Sequence, residues 1–271
     1  MKAAPFGYFA ATSVQAAVDE LAAADADARV MAGGQTLGPM LNLRLAMPSL
    51  LIDLSRISEL KTIQKVSGRR VIGACVTHAM LEDHDDGSSL ARCLAGVAST
   101  IAFRSVRNRG TIGGSIAHAD PAADWLTAMT MLNASVRLSG PGGRRTLPLS
   151  DFVLGTFTTA LKRGEILESI EVAELRPDAR WGIYKVSQKI GEFPKAIGAV
   201  LYDGPISRAV LGALDRPPVM LNDIADRARR EGTPSIATLS DAIALIVPEL
   251  DDIDRHIYAA TLERAFKRAL T

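Results

Sequence analysis

The chain has 271 residues, 31 basic against 30 acidic side chains and 48% hydrophobic residues. This is length for two domains and apolar content for a sizeable core, which excludes a disordered chain, and the net charge of +1 gives no reason to expect a nucleic-acid partner. Two cysteines, Cys75 and Cys93, cannot hold an iron–sulfur cluster, a four-cysteine zinc site or a disulfide scaffold, so a reducing, cytoplasmic setting is expected.

The four histidines, His78, His84, His118 and His256, show no metal-ligand spacing. No apolar run has the length of a membrane span. Pro5 and Gly7 break the opening stretch, which does not read as a signal peptide. Thr12-Ser13-Val14-Gln15 reads as a capping box, with Val14, Ala17, Val18 and Leu21 on one helical face behind it. The polar Ala24-Asp25-Ala26-Asp27-Ala28 ends that helix. Arg29 to Ala32 reads as a strand running into Gly33-Gly34. A short helix is expected from Leu37 to Leu45, stopped by Pro48, and Leu50 to Leu54 is a buried strand.

The texture then changes. Thr62–Val66 and Arg70–Cys75 pair as a hairpin across Ser67-Gly68. Thr77 caps a helix from His78 to Asp83, and Leu90 to Phe103 carries a helical stripe of Leu90, Leu94, Val97 and Ile101. A glycine-rich loop covers 110–115. Asp120-Pro121 reads as cap and first residue of a helix reaching Asn133, with Ala128 to Leu132 as helix core. A second hairpin joins Ser135–Ser139 to Arg144–Leu147. Strands are expected at 166–172, 181–187, 196–202 and 206–212, then three helices from Leu221 on. Mixed elements, then strands, then helices make the fold class α+β.

Two glycine loops carry the functional argument. In Ala32-Gly33-Gly34-Gln35-Thr36-Leu37 a strand feeds a helix through a turn without Cβ atoms. Successive amides in such a turn form a concave anion site, and Thr36 adds a hydroxyl. Taken alone, such a loop reads first as a tight turn with no ligand. Arg109-Gly110-Thr111-Ile112-Gly113-Gly114-Ser115 has the same build and matches neither a Walker A loop nor the G-x-G-x-x-G fingerprint. Two such loops, far apart in sequence, suit one diphosphate gripped from two sides.

These strings carry a resemblance. Met31 to Leu37 with Leu43-Arg44-Leu45, Pro48 and Leu51-Ile52-Asp53-Leu54 resembles the first FAD motif of the molybdenum hydroxylase flavin subunits, the family of carbon monoxide dehydrogenase medium subunits and xanthine dehydrogenase FAD domains. The run from Asn108 to Asp124 resembles the second motif without interruption, and Gly164-Glu165-Ile166-Leu167 and Tyr184-Lys185-Val186-Ser187 stand where the family has cofactor contacts. The resemblance implies a two-subdomain FAD module of the vanillyl-alcohol-oxidase (PCMH) type over 1–175, with subdomains about 1–58 and 59–175. A smaller α/β domain over 176–271 would follow, with a three-stranded antiparallel sheet and a helical bundle. It implies that Met31, Ala32, Gly33, Gly34, Gln35, Thr36, Leu37, Thr111, Gly113, Gly114 and Ser115 bind the FAD diphosphate. Asp124 makes a polar contact, Ile101 is an apolar neighbour of the flavin, Leu167 packs on the cofactor and Lys185 lies close to it. With no histidine or cysteine between residues 29 and 45, the FAD is expected to be non-covalent.

Other candidates read more plainly. His118 is a loop histidine or faces the flavin. Asp120 is a helix cap, and Arg104, Arg107 and Arg109 form a solvated face or meet a partner. Lys185 by itself would be an exposed edge charge. Tyr184 and Phe193 are core residues or ring neighbours. No nucleophilic triad stands out and no catalytic residue is assigned. The expected function is an FAD-binding electron-transfer subunit. It would take electrons from a 2Fe-2S small subunit, beside a molybdopterin-binding large subunit, and pass them to an external acceptor such as NAD or a quinone. The rival readings are a self-contained flavoprotein oxidoreductase and a non-enzymatic nucleotide-binding module.

Overall fold

A computed structural model describes residues 2–189 and 191–271. In chain order the N-terminal elements are β1 (Gly7–Ala10), α1 (Val14–Ala23), β2 (Arg29–Met31), α2 (Leu37–Asn42) and β3 (Leu50–Asp53). The three strands form a parallel sheet in the order β1-β3-β2. β1 was not expected, because Pro5 and Gly7 read as breakers. It is an edge strand paired on one side only, where such residues cost little. The cap of α1 is Ser13, whose Oγ accepts from the Ala16 amide at 3.1 Å, not Thr12. Gln15 does not reach back to close a capping box: it bonds Asp19, and Glu59 takes the Val14 amide instead.

Next come β4 (Ile63–Val66), β5 (Arg69–Gly73), α3 (His78–Glu82), α4 (Ser89–Ser99), α5 (Arg104–Arg107), α6 (Ile112–His118) and α7 (Asp124–Met131). Ser67 and Gly68 both have positive φ, as a two-residue hairpin turn demands. The long helix expected over 90–103 ends at Ser99. Ala102 turns to φ 41°, and the Arg107 guanidinium takes up the Ile101 and Ala102 carbonyls at 3.0 and 3.2 Å. These carbonyls at the helix end would otherwise be orphaned. The 110–115 segment is not a loop: Thr111 caps α6, and both glycines lie in its first turn. Asp120 closes a local turn through the Ala122 amide at 2.9 Å and is not the cap of α7, which starts after Ala123.

The chain continues with β6 (Ser135–Gly140), β7 (Gly143–Pro148), α8 (Leu149–Phe152), the short pair β8 (Val153–Gly155) and β9 (Thr158–Thr159), and β10 (Ile166–Ala173). A five-stranded antiparallel sheet runs β4-β5-β10-β6-β7. Then come β11 (Arg180–Val186), β12 (Ala196–Asp203), β13 (Ile206–Gly212), β14 (Val219–Met220), α9 (Asn222–Glu231), α10 (Ile236–Ile246) and α11 (Asp252–Leu270). The three antiparallel strands expected here are extended by the two-residue β14.

Apolar side chains gather in three clusters. One joins α1 to the parallel sheet and to Ile166. A central one surrounds the fully buried Trp125 and takes in Ala199, Leu201 and Val210 from the last sheet. The third packs β12 and β13 on α9, α10 and α11. No helix among the described residues is long and apolar enough to cross a membrane.

Candidate cofactor cleft

A parallel strand ends with its side chains and following loop at one edge of the sheet, the edge where open α/β arrangements bind ligands. Met31 ends β2 at that edge, and residues 31–37 leave it along the wall of a cleft of about 660 Å3. α6 forms the facing wall. The seam between the two is tight: a Cβ built on Gly33 would lie 2.0 Å from the Arg109 carbonyl oxygen. Gly33 is therefore small so that the two glycine motifs can touch, and Gly34, at φ 70°, is the residue that needs left-handed freedom.

The motifs differ in what they have left to offer. Among the described residues, the amides of Gly33, Gly34, Gln35, Thr36 and Leu37 find no acceptor within the chain. In the second motif the amides of the helix turn are spent, and among the described residues only the Thr111 amide finds no acceptor. Ile112 donates to the Val76 carbonyl (3.1 Å), Gly113 to Ala74 (3.0 Å), Ser115 to Thr111 (3.0 Å) and Gly114 to Thr111 Oγ1 (3.1 Å). The sequence reading treated both motifs as open turns with free amides. That is corrected for the second, because α6 docks its first turn on the segment after β5. Gly113 makes room for that docking, since its Cβ would meet Ala74 at 2.4 Å. Gly114 is exposed to the cleft and faces Ala32, whose Cβ is 4.0 Å from the position of an added Cβ.

One end of the cleft is formed by α4, α7 and β11. Ile101 lines it beside the α4 terminus. Lys185 Nζ bridges the Asp124 carboxylate (2.7 Å) and the Thr100 carbonyl (2.9 Å), so it is no exposed edge charge. The side chains of this pair are only 18% and 11% exposed. Burial pushes the Asp124 carboxyl above its ordinary range, against the pull of the Lys185 ammonium. Strand alternation turns Tyr184 the other way, onto the guanidinium groups of Arg264 and Arg268 at 4.9 and 4.8 Å, whereas Phe193 is exposed at the cleft. The other end is built by Arg29, Val30, Ile166 and Leu167, with Glu165 held by a two-pronged Arg145 contact at 2.8 Å. That contact keeps the Glu165 carboxyl below its usual range.

The structure thus brings Met31 to Leu37, Ile101, Thr111, Gly113, Gly114, Ser115, Asp124, Leu167 and Lys185 to one cleft. Arg104 and Arg107 do not form a free basic face: they pair with Glu82 and Asp83. His118, the last residue of α6, lines the cleft with its ring centroid 5.0 Å from that of Phe157. Sequence reasoning passed over His78 and Phe157. No local signal marks them, since His78 is placed by a contact with a residue 47 positions away.

Residues 4–174 match the family described as "FAD binding domain in molybdopterin dehydrogenase". The chain belongs to this family of FAD-binding domains.

Among its relatives, the carbon monoxide dehydrogenase medium chain of Hydrogenophaga pseudoflava is 34% identical over 274 residues, covering 98% of this chain and 96% of the relative. The nicotine 6-hydroxylase medium subunit of Paenarthrobacter nicotinovorans is 31% identical, with 89% and 90% covered. The solved carbon monoxide dehydrogenase from Hydrogenophaga pseudoflava lacking the Mo-pyranopterin moiety superposes with a TM-score of 0.89 at 32% identity, covering 100% of this chain and 99% of that one. The fold class is that of these FAD subunits, and the chain is an FAD-dependent oxidoreductase component.

The residues present suit FAD. The cleft volume falls within the roughly 300–1,000 Å3 common for cofactor sites. The unspent amides of Gly33 to Leu37 are donors without acceptors, as a diphosphate requires. Gly114 is exposed in the cleft lining, where a longer side chain would stand in the cofactor's way.

Proposed function

We propose that this chain is the FAD-binding medium subunit of a molybdenum hydroxylase complex. It would stand between a 2Fe-2S small subunit, which delivers electrons released at a molybdopterin-binding large subunit, and an external acceptor such as NAD or a quinone. The observation that carries the reading is the convergence of the expected cofactor-binding residues on one cleft, with five consecutive unspent amides at its centre. The relatives named as medium chains support it, since such a chain works beside others.

In this reading the Gly33 to Leu37 amides hold the diphosphate, and Gly114 lets α6 approach it. Thr111, Gly113 and Ser115 form the opposite wall. Leu167 packs on the cofactor, and Ile101, Asp124 and Lys185 stand at the flavin end. Bound there non-covalently, FAD supplies the exchange between single-electron arrival and two-electron delivery. Lys185, anchored by Asp124 and the Thr100 carbonyl, sets a fixed cation beside the ring and raises its reduction potential. The division into a PCMH-type domain over 1–175, with subdomains 1–58 and 59–175, and a C-terminal domain over 176–271 belongs to the same proposal, as does a cytoplasmic location.

The test is the visible spectrum of the purified chain, with and without added FAD, beside the Gly114→Val variant. The expected result is a flavin band in the wild type and its loss in the variant, with the thermal transition retained. A colourless protein that FAD does not reconstitute would overturn the reading. Substrate turnover by the chain alone would favour a self-contained flavoenzyme.

A further inference from the structure

His78 is the first residue of α3, placed there by the Thr77 cap and by its own amide, which donates to the Gly110 carbonyl at 2.9 Å. Its side chain lines the cleft, yet the residue is only 6% exposed. The Trp125 indole Nε1–H donates to His78 Nδ1 at 3.0 Å. An indole N–H can only donate, so Nδ1 must present its lone pair, and in the neutral ring the proton sits on Nε2. Burial, with Arg107 as the nearby cation, lowers the ring's pKa to about 4, so the ring is neutral near pH 7.

Nε2–H has no acceptor among the described residues, and it is not among the atoms sealed from solvent, so it stays open at the cleft that His78 lines. An N–H at the wall of a ligand cleft loses its water when a ligand fills the cleft, so it calls for an acceptor on that ligand. Its place is defined on both sides. The ring edge lies against Gly110, where a Cβ would be 2.9 Å from Nε2. Gly110 leads into the second glycine motif, and Trp125 follows Asp124 in α7. His78 therefore touches both the residue that leads into the second motif and the residue that follows Asp124.

We propose that His78, its tautomer set by Trp125, donates a fixed hydrogen bond from Nε2 to an oxygen of the flavin half of FAD, either a ribityl hydroxyl or a ring carbonyl. This rests on the reading of the cleft as the FAD site. A neutral donor locked by a buried indole supplies direction without charge, which Lys185 cannot do, and it needs no reorganisation when the acceptor arrives.

The experiment measures FAD affinity and the flavin midpoint potential for the full-length chain and two variants. His78→Asn keeps an acceptor near the Nδ1 position for Trp125 but withdraws the donor from the cleft. His78→Gln extends an N–H toward the Nε2 position. The expected result is an affinity loss of about tenfold in His78→Asn, substantially recovered in His78→Gln, with matching thermal transitions of the FAD-free variants. A shift in midpoint potential accompanying the loss assigns the acceptor to a ring carbonyl, and an unchanged potential assigns it to the ribityl chain. Wild-type affinity in His78→Asn, or equal loss in both variants, overturns the proposal. NMR of isotope-labelled histidine in the wild type, which needs no variant to fold, should show Nδ1 unprotonated and a slowly exchanging Nε2–H once FAD is added; the opposite tautomer overturns it. A wild type that binds no FAD overturns the reading of the cleft as well, whereas intact FAD binding with an indifferent His78 removes this inference alone.

Discussion

The two glycine motifs look alike as strings and work differently as structures. The first, at the end of β2, is open backbone whose amides from Gly33 to Leu37 have no partner among the described residues. The second is the capped first turn of α6: its Ile112 and Gly113 amides are consumed in docking against Val76 and Ala74, and those of Gly114 and Ser115 bond Thr111. A glycine pair can thus serve opposite ends. One frees donors for a ligand, while the other permits a close approach of backbone to backbone that uses the donors up. Even within one pair the labour divides: Gly33 and Gly113 are steric necessities, Gly34 is a conformational one, and Gly114 is exposed at the cleft with Thr111 Oγ1 2.8 Å from where its Cβ would stand.

Gly33→Ala should break both motifs at once, since the added atom would lie 2.0 Å from the Arg109 carbonyl. We expect complete loss of bound FAD and a stability loss of about 3 kcal/mol or more by thermal unfolding. Full FAD content in this variant would refute the seam.

Acid should weaken the second motif through His78, which leans on Gly110. Its folded-state pKa, about 4, lies below the unfolded value near 6.5, so the unfolded chain binds more protons between them. Stability therefore falls as pH drops from about 6.5 toward 4, by on the order of 3 kcal/mol, and levels off for this group below that. Denaturant titrations across this range should show a shallower slope in His78→Asn than in wild type.

Gly34→Ala tests conformation alone, because its nearest neighbour, Met31 Sδ, is at an ordinary 3.5 Å. The strain of a left-handed alanine is about 1–2 kcal/mol. FAD titration should show up to about tenfold weaker binding with only a small change in melting temperature. Thr111→Val removes the cap that accepts the Gly114 amide. It should cost about 1 kcal/mol of stability and the least affinity of the series, because it releases an amide toward the cleft instead of filling it.

Legibility followed sequence distance. Both motifs are contiguous strings, and the hairpin turns and the three closing helices are written in local chemistry. The second motif was misread as a loop because glycine is a poor helix former, and only contact with Ala74 makes it worthwhile there. β1 was missed because breakers are tolerated on an edge strand. Lys185 and Asp124 lie 61 positions apart, and nothing between them announces that a strand end and a helix start share one end of the cleft.

Composition and element order by themselves set the α+β class, and the two glycine strings pointed to a diphosphate, because each is fixed by short-range chemistry along the chain; the family and the FAD cofactor came from the resemblance those strings carry. Which amides remain free, which glycine faces the ligand, how Lys185 is anchored and why His78 keeps one proton were decided only when strands, helices and the three cores packed together. Hydrogen-bond partners and burial are properties of neighbours in space, and in this protein those neighbours come from distant stretches of chain.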